Sequence, residues 1–451
     1  MNKYNYTLDK ISAFLSKFSK YLMPIFIIGL FGMIFLRDIF GVNISKFIFL
    51  AFISLFLLFT NKAENIYILC FVFPLLNGLP GTYILLVGLV LLVLRKAINL
   101  KSLIFIAVFA CLELVASIWF PNKAYFEIVK YGLHLATFFL LLHGNLECDY
   151  RKCLSYFFIG TVILSLIVTI VGLKWAPDNW LSLFSRGRYR FGDRNKVTGT
   201  DMLFRLDANE LGYNTLVGIF AGLVLVLNAK KRYIVPLILG VILDLLAGIF
   251  SLSRTFILFF AIVIVLFVIF SFPKKKGNYV FFFIIPVLVI FVKVLFMVFP
   301  DFLGGIVTRM TNAGMSNAGG RVEIFKNYFT YWSKNIRAIF IGTGVTQYKG
   351  VLNYDPSIHN MLQQILICYG VIGFIAFMYV IVTPLIKEMK NKPKLVYYLP
   401  WLAAFLFVQA IQFVNPYYLM FNYLIGVFTL RYGSSLKKEQ LTDSNKASVN
   451  Q

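Results

Sequence analysis

The chain has 451 residues, of which 60% are hydrophobic, 18% aromatic and 14% charged, with a formal net charge of +24. A composition so apolar and so poor in charge excludes a soluble domain of this length. It points to an integral membrane protein.

Residues 1–20 place Tyr6, Leu8, Ile11, Phe14, Leu15 and Phe18 at helical spacing among Lys3, Lys10, Lys17 and Lys20. That is the pattern of an interfacial amphipathic helix, and nothing in it resembles a cleaved signal peptide. From 21 to 431 apolar windows recur with short breaks, each near the length that crosses the hydrocarbon core as helix. They fall at 21–37, 46–60, 64–77, 82–95, 102–120, 124–143, 153–175, 208–228, 233–251, 254–272, 279–299, 358–385, 396–413 and 417–431. The expected fold is all-α, a polytopic membrane protein of about 12–14 transmembrane helices. One helical domain spans 21–431, and 432–451 reads as a disordered cytoplasmic tail. The third and fourth windows are short, so the stretch around "NGLPG" at 77–81 also reads as one broken or re-entrant element.

Lysine and arginine beside a helix are retained on the cytoplasmic side. With the N-terminus inside, alternate short loops carry Arg95, Lys96 and Lys101; Arg151 and Lys152; Lys230, Lys231 and Arg232; Lys274 to Lys276; and Lys387, Lys390, Lys392 and Lys394. The opposite short loops hold only Arg37, Lys46 and Lys123. The parity predicts cytoplasmic N- and C-termini and two long outer loops, 174–207 and 300–358. Basic residues thus lie on both sides of a membrane, which argues against nucleic-acid binding.

Cytoplasmic lysines are accounted for by orientation and anionic lipid. The outer stretch "SRGRYRFGDRNK" at 185–196 is not, because long loops translocate regardless of charge. Arg186, Arg188, Arg190, Arg194, Lys196 and Arg205 face only Asp193, Asp201 and Asp207 in that loop. Such a cluster suits a phosphate-bearing ligand or, equally, anionic headgroups. Glu113, Lys130, Asp244 and Lys293 favour the ligand. All four lie in the outer halves of their spans, where an ionisable group is costly and marks a polar cavity or an ion pair such as Glu113 with Lys130. His134, nearer mid-membrane, reads as a packed histidine.

Three outward elements have the makings of a site. "SLSRTF" at 251–256 puts Arg254 at an outer helix boundary. "NAGGRVEIFKNYFTYWSKN" sets Ile324, Tyr328, Trp332 and Ile336 at helical spacing with Arg321 in the first turn, where the free amides of a helix start can share an anion. "IHNMLQQILICYGVIG" sets His359 at the entry of a long span, and a neutral imidazole there is a natural proton acceptor for a hydroxyl.

Taken with "IGTG" at 341–344, these stretches resemble the O-antigen ligase and polymerase family of polytopic bacterial membrane proteins. That family handles glycans on undecaprenyl pyrophosphate outside the cytoplasmic membrane. Its pattern pairs a His-Asn at the start of a late helix with two later glycines, as His359, Asn360, Gly370 and Gly373 do. Arg321 and Arg254 match its outer-loop and helix-boundary arginines. Arg205, Asn209 and Gly212 in "RLDANELGYN" echo a further element. The departures are Ala208 where proline is usual, Gln363 where an apolar residue is expected and Cys368 where an acid often occurs.

The resemblance implies a membrane glycosyltransferase that uses a polyprenyl-pyrophosphate-linked donor, with no cofactor and no metal. Arg254, Arg321 and Arg205 would hold the pyrophosphate, and His359 would be the base. Asn360 would orient the imidazole or a sugar hydroxyl, and Arg186, Arg188, Arg190 and Arg194 would gather the donor. Glu210, Asp207, Glu323 and Asp355 remain alternative bases. The implied partners are the lipid-linked oligosaccharide donor and acceptor, the bilayer, and the flippase and chain-length regulator proteins of such a pathway. The expected activity is polymerisation of repeat units for O-antigen, capsule or exopolysaccharide. A ligase and a flippase are the alternatives, the flippase disfavoured by the absence of an internal repeat.

Overall fold

A computed structural model describes residues 21–120, 124–174, 208–251, 253–271, 321–351, 358–409 and 420–449, with single positions at 286, 290, 293 and 297. The arginine cluster at 186–194, Arg205, Asp207 and Asp355 lie outside the described residues. So does the N-terminal amphipathic segment.

The chain is all-helical, with no strand among the described residues. In chain order the helices are α1 (Tyr21–Asp38), α2 (Lys46–Phe59), α3 (Lys62–Val72), α4 (Gly81–Leu94), α5 (Leu100–Trp119), α6 (Tyr125–His143), α7 (Tyr150–Lys174) and α8 (Ala208–Leu227). There follow α9 (Lys231–Phe250), α10 (Arg254–Ser271), α11 (Arg321–Ser333), α12 (Ile336–Phe340), α13 (Tyr348–Val351), α14 (Met361–Lys390), α15 (Leu399–Val408) and α16 (Met420–Val449). Among the described residues eight are long and apolar enough to cross a membrane, and Lys46–Phe59, Gly81–Leu94 and Leu395–Val408 are shorter apolar helices. The protein is a polytopic all-α membrane protein.

The "NGLPG" stretch is a hairpin tip. Helix α3 continues as a 3-10 helix, Phe73–Gly78, and the Gly78 carbonyl accepts 2.7 Å from Arg37 Nη1 at the end of α1. Seventeen residues thus run from the α2 end of the bundle to the far end of α1, so the broken or re-entrant alternative is replaced by a full traverse. Prolines at 74 and 80 explain why neither half reads as a regular helix in sequence.

Loops that carry the sequence's basic clusters are bonded to one another at one end. Arg95 donates to the carbonyls of Leu57 and Leu58, Arg151 to Asn228, Arg431 to Leu142, and Lys437 to Asn391 and Lys392. Each acceptor lies at or just beyond the C-terminus of a helix, where unpaired carbonyls and the negative end of the dipole favour a cation. Residues 432–451, expected as a tail, begin instead as a continuation of α16, with Tyr432 and Ser434 buried.

Within the bundle, glycines set the closest approaches. A Cβ at Gly160 of α7 would fall on the Phe71 carbonyl oxygen, while one at Gly32 of α1 would meet nothing within 4 Å. Buried polar groups are paired across helices: Asp244 of α9 accepts from Thr161 at 2.8 Å and Ser165 at 2.7 Å on α7, and Asn422 of α16 donates to Asn214 of α8 at 2.9 Å. Gly160→Ala is expected to lower the thermal midpoint in detergent, through an overpacking cost of about 1–3 kcal/mol. Gly32→Ala is expected to leave it unchanged, and equal midpoints would remove the close α3–α7 contact from the account.

Candidate functional site at the end opposite the basic loops

The second end of the bundle is assembled from short polar stretches at helix starts. On α8, Asn209 accepts 2.7 Å from Ser253 Oγ, which sits immediately before Arg254 at the start of α10. Gly212 permits this approach, since a Cβ there would lie 2.9 Å from that of Phe256 and 3.3 Å from that of Ser253. The start of α8, from Ala208, and the start of α10, from Ser253, are therefore one unit. Half-buried Arg254 opens a helix with no acid in its first turn, and Glu210 nearby accepts 3.4 Å from Asn77 Nδ2.

Helix α14 enters through the His-Asn pair. The Asn360 side chain caps the helix by accepting from the Gln363 amide at 3.0 Å, and its Nδ2 donates 3.1 Å to Gln409 at the end of α15. One end of this amide caps α14 and the other holds α14 to α15. In turn Phe407 of α15 stacks on Tyr213 of α8 and packs edge-on against Phe259 of α10. Half-buried His359 thus precedes a helix start joined through α15 to the α8–α10 unit.

The outer helix α11, which Arg321 opens, is fastened to the same place. Gln363 Nε2 donates 3.3 Å to the Phe325 carbonyl, and Gln364 Nε2 donates 3.4 Å to the Tyr348 hydroxyl. Tyr348 in turn faces buried Tyr328 with ring centroids 5.8 Å apart. Gln363, the departure from an apolar residue, therefore staples α11 to α14. Ile324, Tyr328 and Trp332 turn inward as their spacing predicts, but Ile336 does not extend the stripe. The helix stops at Ser333 because the Asn335 side chain accepts from the amides of Arg337 and Ala338, capping a new helix, and Ile336 is exposed. Glu323 is exposed in the first turn of α11.

Beneath these elements α14 is broken. Gly370 has φ +64, inside what reads as one continuous span. The break displaces the amides that would serve the preceding turn, and the freed carbonyls of Ile367 and Cys368 accept from Thr343 N at 3.1 Å and Gly344 N at 2.9 Å. Gly342 and Gly344 have φ +86 and +81. A Cβ at Gly342 would land on the Cys368 carbonyl, and one at Gly370 on the Phe340 carbonyl. "IGTG" is thus a loop docked backbone to backbone on a broken helix.

Glu113 completes that dock. Both its carboxylate oxygens lie 3.3 Å from the Val345 amide, whereas Lys130 pairs with Glu127 at 2.6 Å, one helical turn away. The Glu113–Lys130 pairing offered by the sequence gives way to these local partners. Buried His134 donates from Nδ1 to the Lys130 carbonyl at 2.7 Å, as a packed histidine would. Lys293 is exposed.

The sequence did not single out Ser253, Gln409 or the Gln363–Phe325 bond as parts of this end. Their signal was uncharged side chains at helix termini, which are common in any membrane bundle. Asn360→Ala removes the cap and is expected to speed hydrogen exchange at the Gln363 amide by about tenfold, the effect of a cap near 1.4 kcal/mol. Asn360→Asp retains the acceptor and is expected to keep that protection. Equal exchange in both variants and the natural chain would deny the cap.

Residues 239–378 match the family model described as O-antigen ligase. The matched segment runs from α9 to the middle of α14 and so includes Arg254, Arg321, His359, Asn360, Gly370 and Gly373. No curated protein matches the chain. The match supports a membrane enzyme of O-antigen or polysaccharide assembly. Over residues 239–378 the chain is similar to the O-antigen ligase domain, which supports the resemblance to the O-antigen polymerase and ligase family.

Proposed function

We propose that the protein is a polysaccharide polymerase. It joins undecaprenyl-pyrophosphate-linked oligosaccharide repeat units on the outer face of the bacterial cytoplasmic membrane, with both termini in the cytoplasm. The observation that carries this reading is the convergence at one end of the bundle, opposite the basic loops, of the elements opened by Arg254, Arg321 and His359. Bonds through Asn209, Gln363 and Gln409 hold those elements together.

Arg254 and Arg321, with Arg205 from the preceding loop, bind the donor pyrophosphate. Guanidinium forks there stabilise the charge that develops as it leaves. His359 takes the proton of an acceptor sugar hydroxyl, whose oxygen attacks the anomeric carbon. The bond from that carbon to the phosphate oxygen breaks, undecaprenyl pyrophosphate departs as the anion, and the configuration inverts. Asn360, committed to its cap and to Gln409, positions the histidine at the helix start. Arg186, Arg188, Arg190 and Arg194 gather the polyanionic donor, while Glu210 and Glu323 contact its sugars. The prenyl tail stays in lipid, and the chemistry needs neither cofactor nor metal. Pathway partners are the flippase that delivers the repeat unit and a chain-length regulator. Transfer of finished glycan to a final acceptor is the second reading, favoured by the description of the matched family.

Glycan length on gels tests this in cells lacking the protein and in cells carrying only His359→Ala, Arg321→Ala or Arg254→Ala at normal membrane levels. Single repeat units in all four are expected, with transfer down at least about a hundredfold, as when a general base or charge-stabilising donor is lost. Full-length glycan left on undecaprenyl pyrophosphate would replace polymerase by ligase, and repeat units trapped inside would mean a flippase. Near-normal chains in a variant would remove that residue from the site.

A further inference from the structure

At the basic end, away from the candidate site, a cavity of about 880 Å³ opens between α7 and α9. Its mouth is formed by Arg151, Lys152, Ser155 and Tyr233, and its walls are apolar, among them Ile159, Val162, Leu239 and Leu243. No carboxylate lines it among the described residues. The two cations are held in place by neutral partners: Arg151 Nη2 lies 3.2 Å from the Asn228 carbonyl, and Lys152 Nζ lies 5.8 Å above the Tyr67 ring. Asp149 is the nearest acid on the chain and is spent on the backbone amides of Arg151 and Lys152. Exposed Lys230, Lys231 and Arg232 lie in sequence between Ala229 and Tyr233 of the lining.

Depth and shape narrow the occupant. From Arg151 to Val162 the groove follows eleven helical steps, about 17 Å, close to half of a hydrocarbon core of about 30 Å. It is therefore one leaflet deep. Gly240 and Phe158 close its inner wall, since a Cβ at Gly240 would lie 2.8 Å from the Phe158 ring. Pro236 within α9 has no amide hydrogen, which leaves the Arg232 carbonyl without its usual helical donor at the mouth. Two cations, a spare acceptor and an apolar trough one leaflet long describe a seat for a single phospholipid. The headgroup would be anionic and carry hydroxyl donors.

We propose that this groove binds one phospholipid of the surrounding bilayer, of the phosphatidylglycerol class. Its phosphate sits between Arg151 and Lys152, and one acyl chain lies along Ile159, Val162, Leu239 and Leu243. The lipid fills the gap between α7 and α9, the helices that enclose Asp244, and so serves as a structural part of the bundle.

The full-length protein is reconstituted in equimolar phosphatidylglycerol and phosphatidylcholine, extracted in mild detergent, and its retained lipid identified by mass spectrometry. The natural chain is expected to retain phosphatidylglycerol selectively. Each cation near an anionic headgroup is worth roughly fivefold, so Arg151→Ala with Lys152→Ala should lower retention about twenty-five-fold. Ser155→Phe keeps both charges and blocks the mouth, so it is expected to exclude both lipids even if the double variant folds poorly. Equal retention of the two lipids by the natural chain would overturn the proposal. So would undiminished retention in Ser155→Phe, or a polyprenyl chain recovered in place of the phospholipid.

Discussion

Two backbone hydrogen bonds, from Thr343 and Gly344 to the carbonyls of Ile367 and Cys368, hold the rest of this end of the molecule in place. In a bilayer every buried carbonyl requires a donor, and a helix broken at Gly370 loses the donors of its own next turn. The docked loop supplies them. Because that loop leads through α13 towards His359, repairing the break also fixes where the histidine's helix begins. Glu113 extends the repair into α5 by accepting the Val345 amide. An intramembrane carboxylate that looked like a functional charge is thereby engaged in holding backbone.

The gathering of the basic loops at one end of the bundle was legible because it rests on a one-dimensional property, the position of cations between apolar runs. Arg95, Arg151 and Arg431 show the structural side of that rule. Each is a ligand for carbonyls at a neighbouring helix end, and Arg95 and Arg151 are among the residues from which the sequence predicts orientation. The starts of α10, α11 and α14 were legible as well, since Arg254, Arg321 and the His-Asn pair stand at composition boundaries. What sequence did not reveal is how these starts are fastened together. Gln363 looked like a misfit in an apolar stripe, and only the approach of α11 gives its amide a partner in the Phe325 carbonyl. The break at Gly370 was hidden for a related reason. A glycine within an apolar span is compatible with an unbroken helix, and only a second backbone lying against it requires the left-handed conformation. Ile336 misled in the opposite direction, because helical periodicity carried across a stop set by the Asn335 cap.

The two ends of the bundle use their cations differently. At the basic end Arg95, Arg431 and Lys437 neutralise the terminal carbonyls of α2, α6 and α14 and are largely consumed by the fold, while Arg151 gives the Asn228 carbonyl a single Nη2 bond and also lines the groove. At the other end, α8, α10 and α14 present helix starts, and Arg254 adds positive charge to one of them instead of cancelling it. That surplus is unfavourable for the helix on its own and becomes favourable beside an anion. The groove proposed for an anionic lipid lies at the basic end, away from the candidate site.

The bonds made by α16 bear on how the chain is built. Asn422 pairs with buried Asn214, Tyr423 with the Ile381 carbonyl, Arg431 with Leu142 and Lys437 with the turn at Asn391. All of these partners are synthesised earlier than α16. Until α16 leaves the ribosome, Asn214 faces its neighbours without the amide of Asn422. The arrival of α16 therefore closes the bundle onto helices made before it.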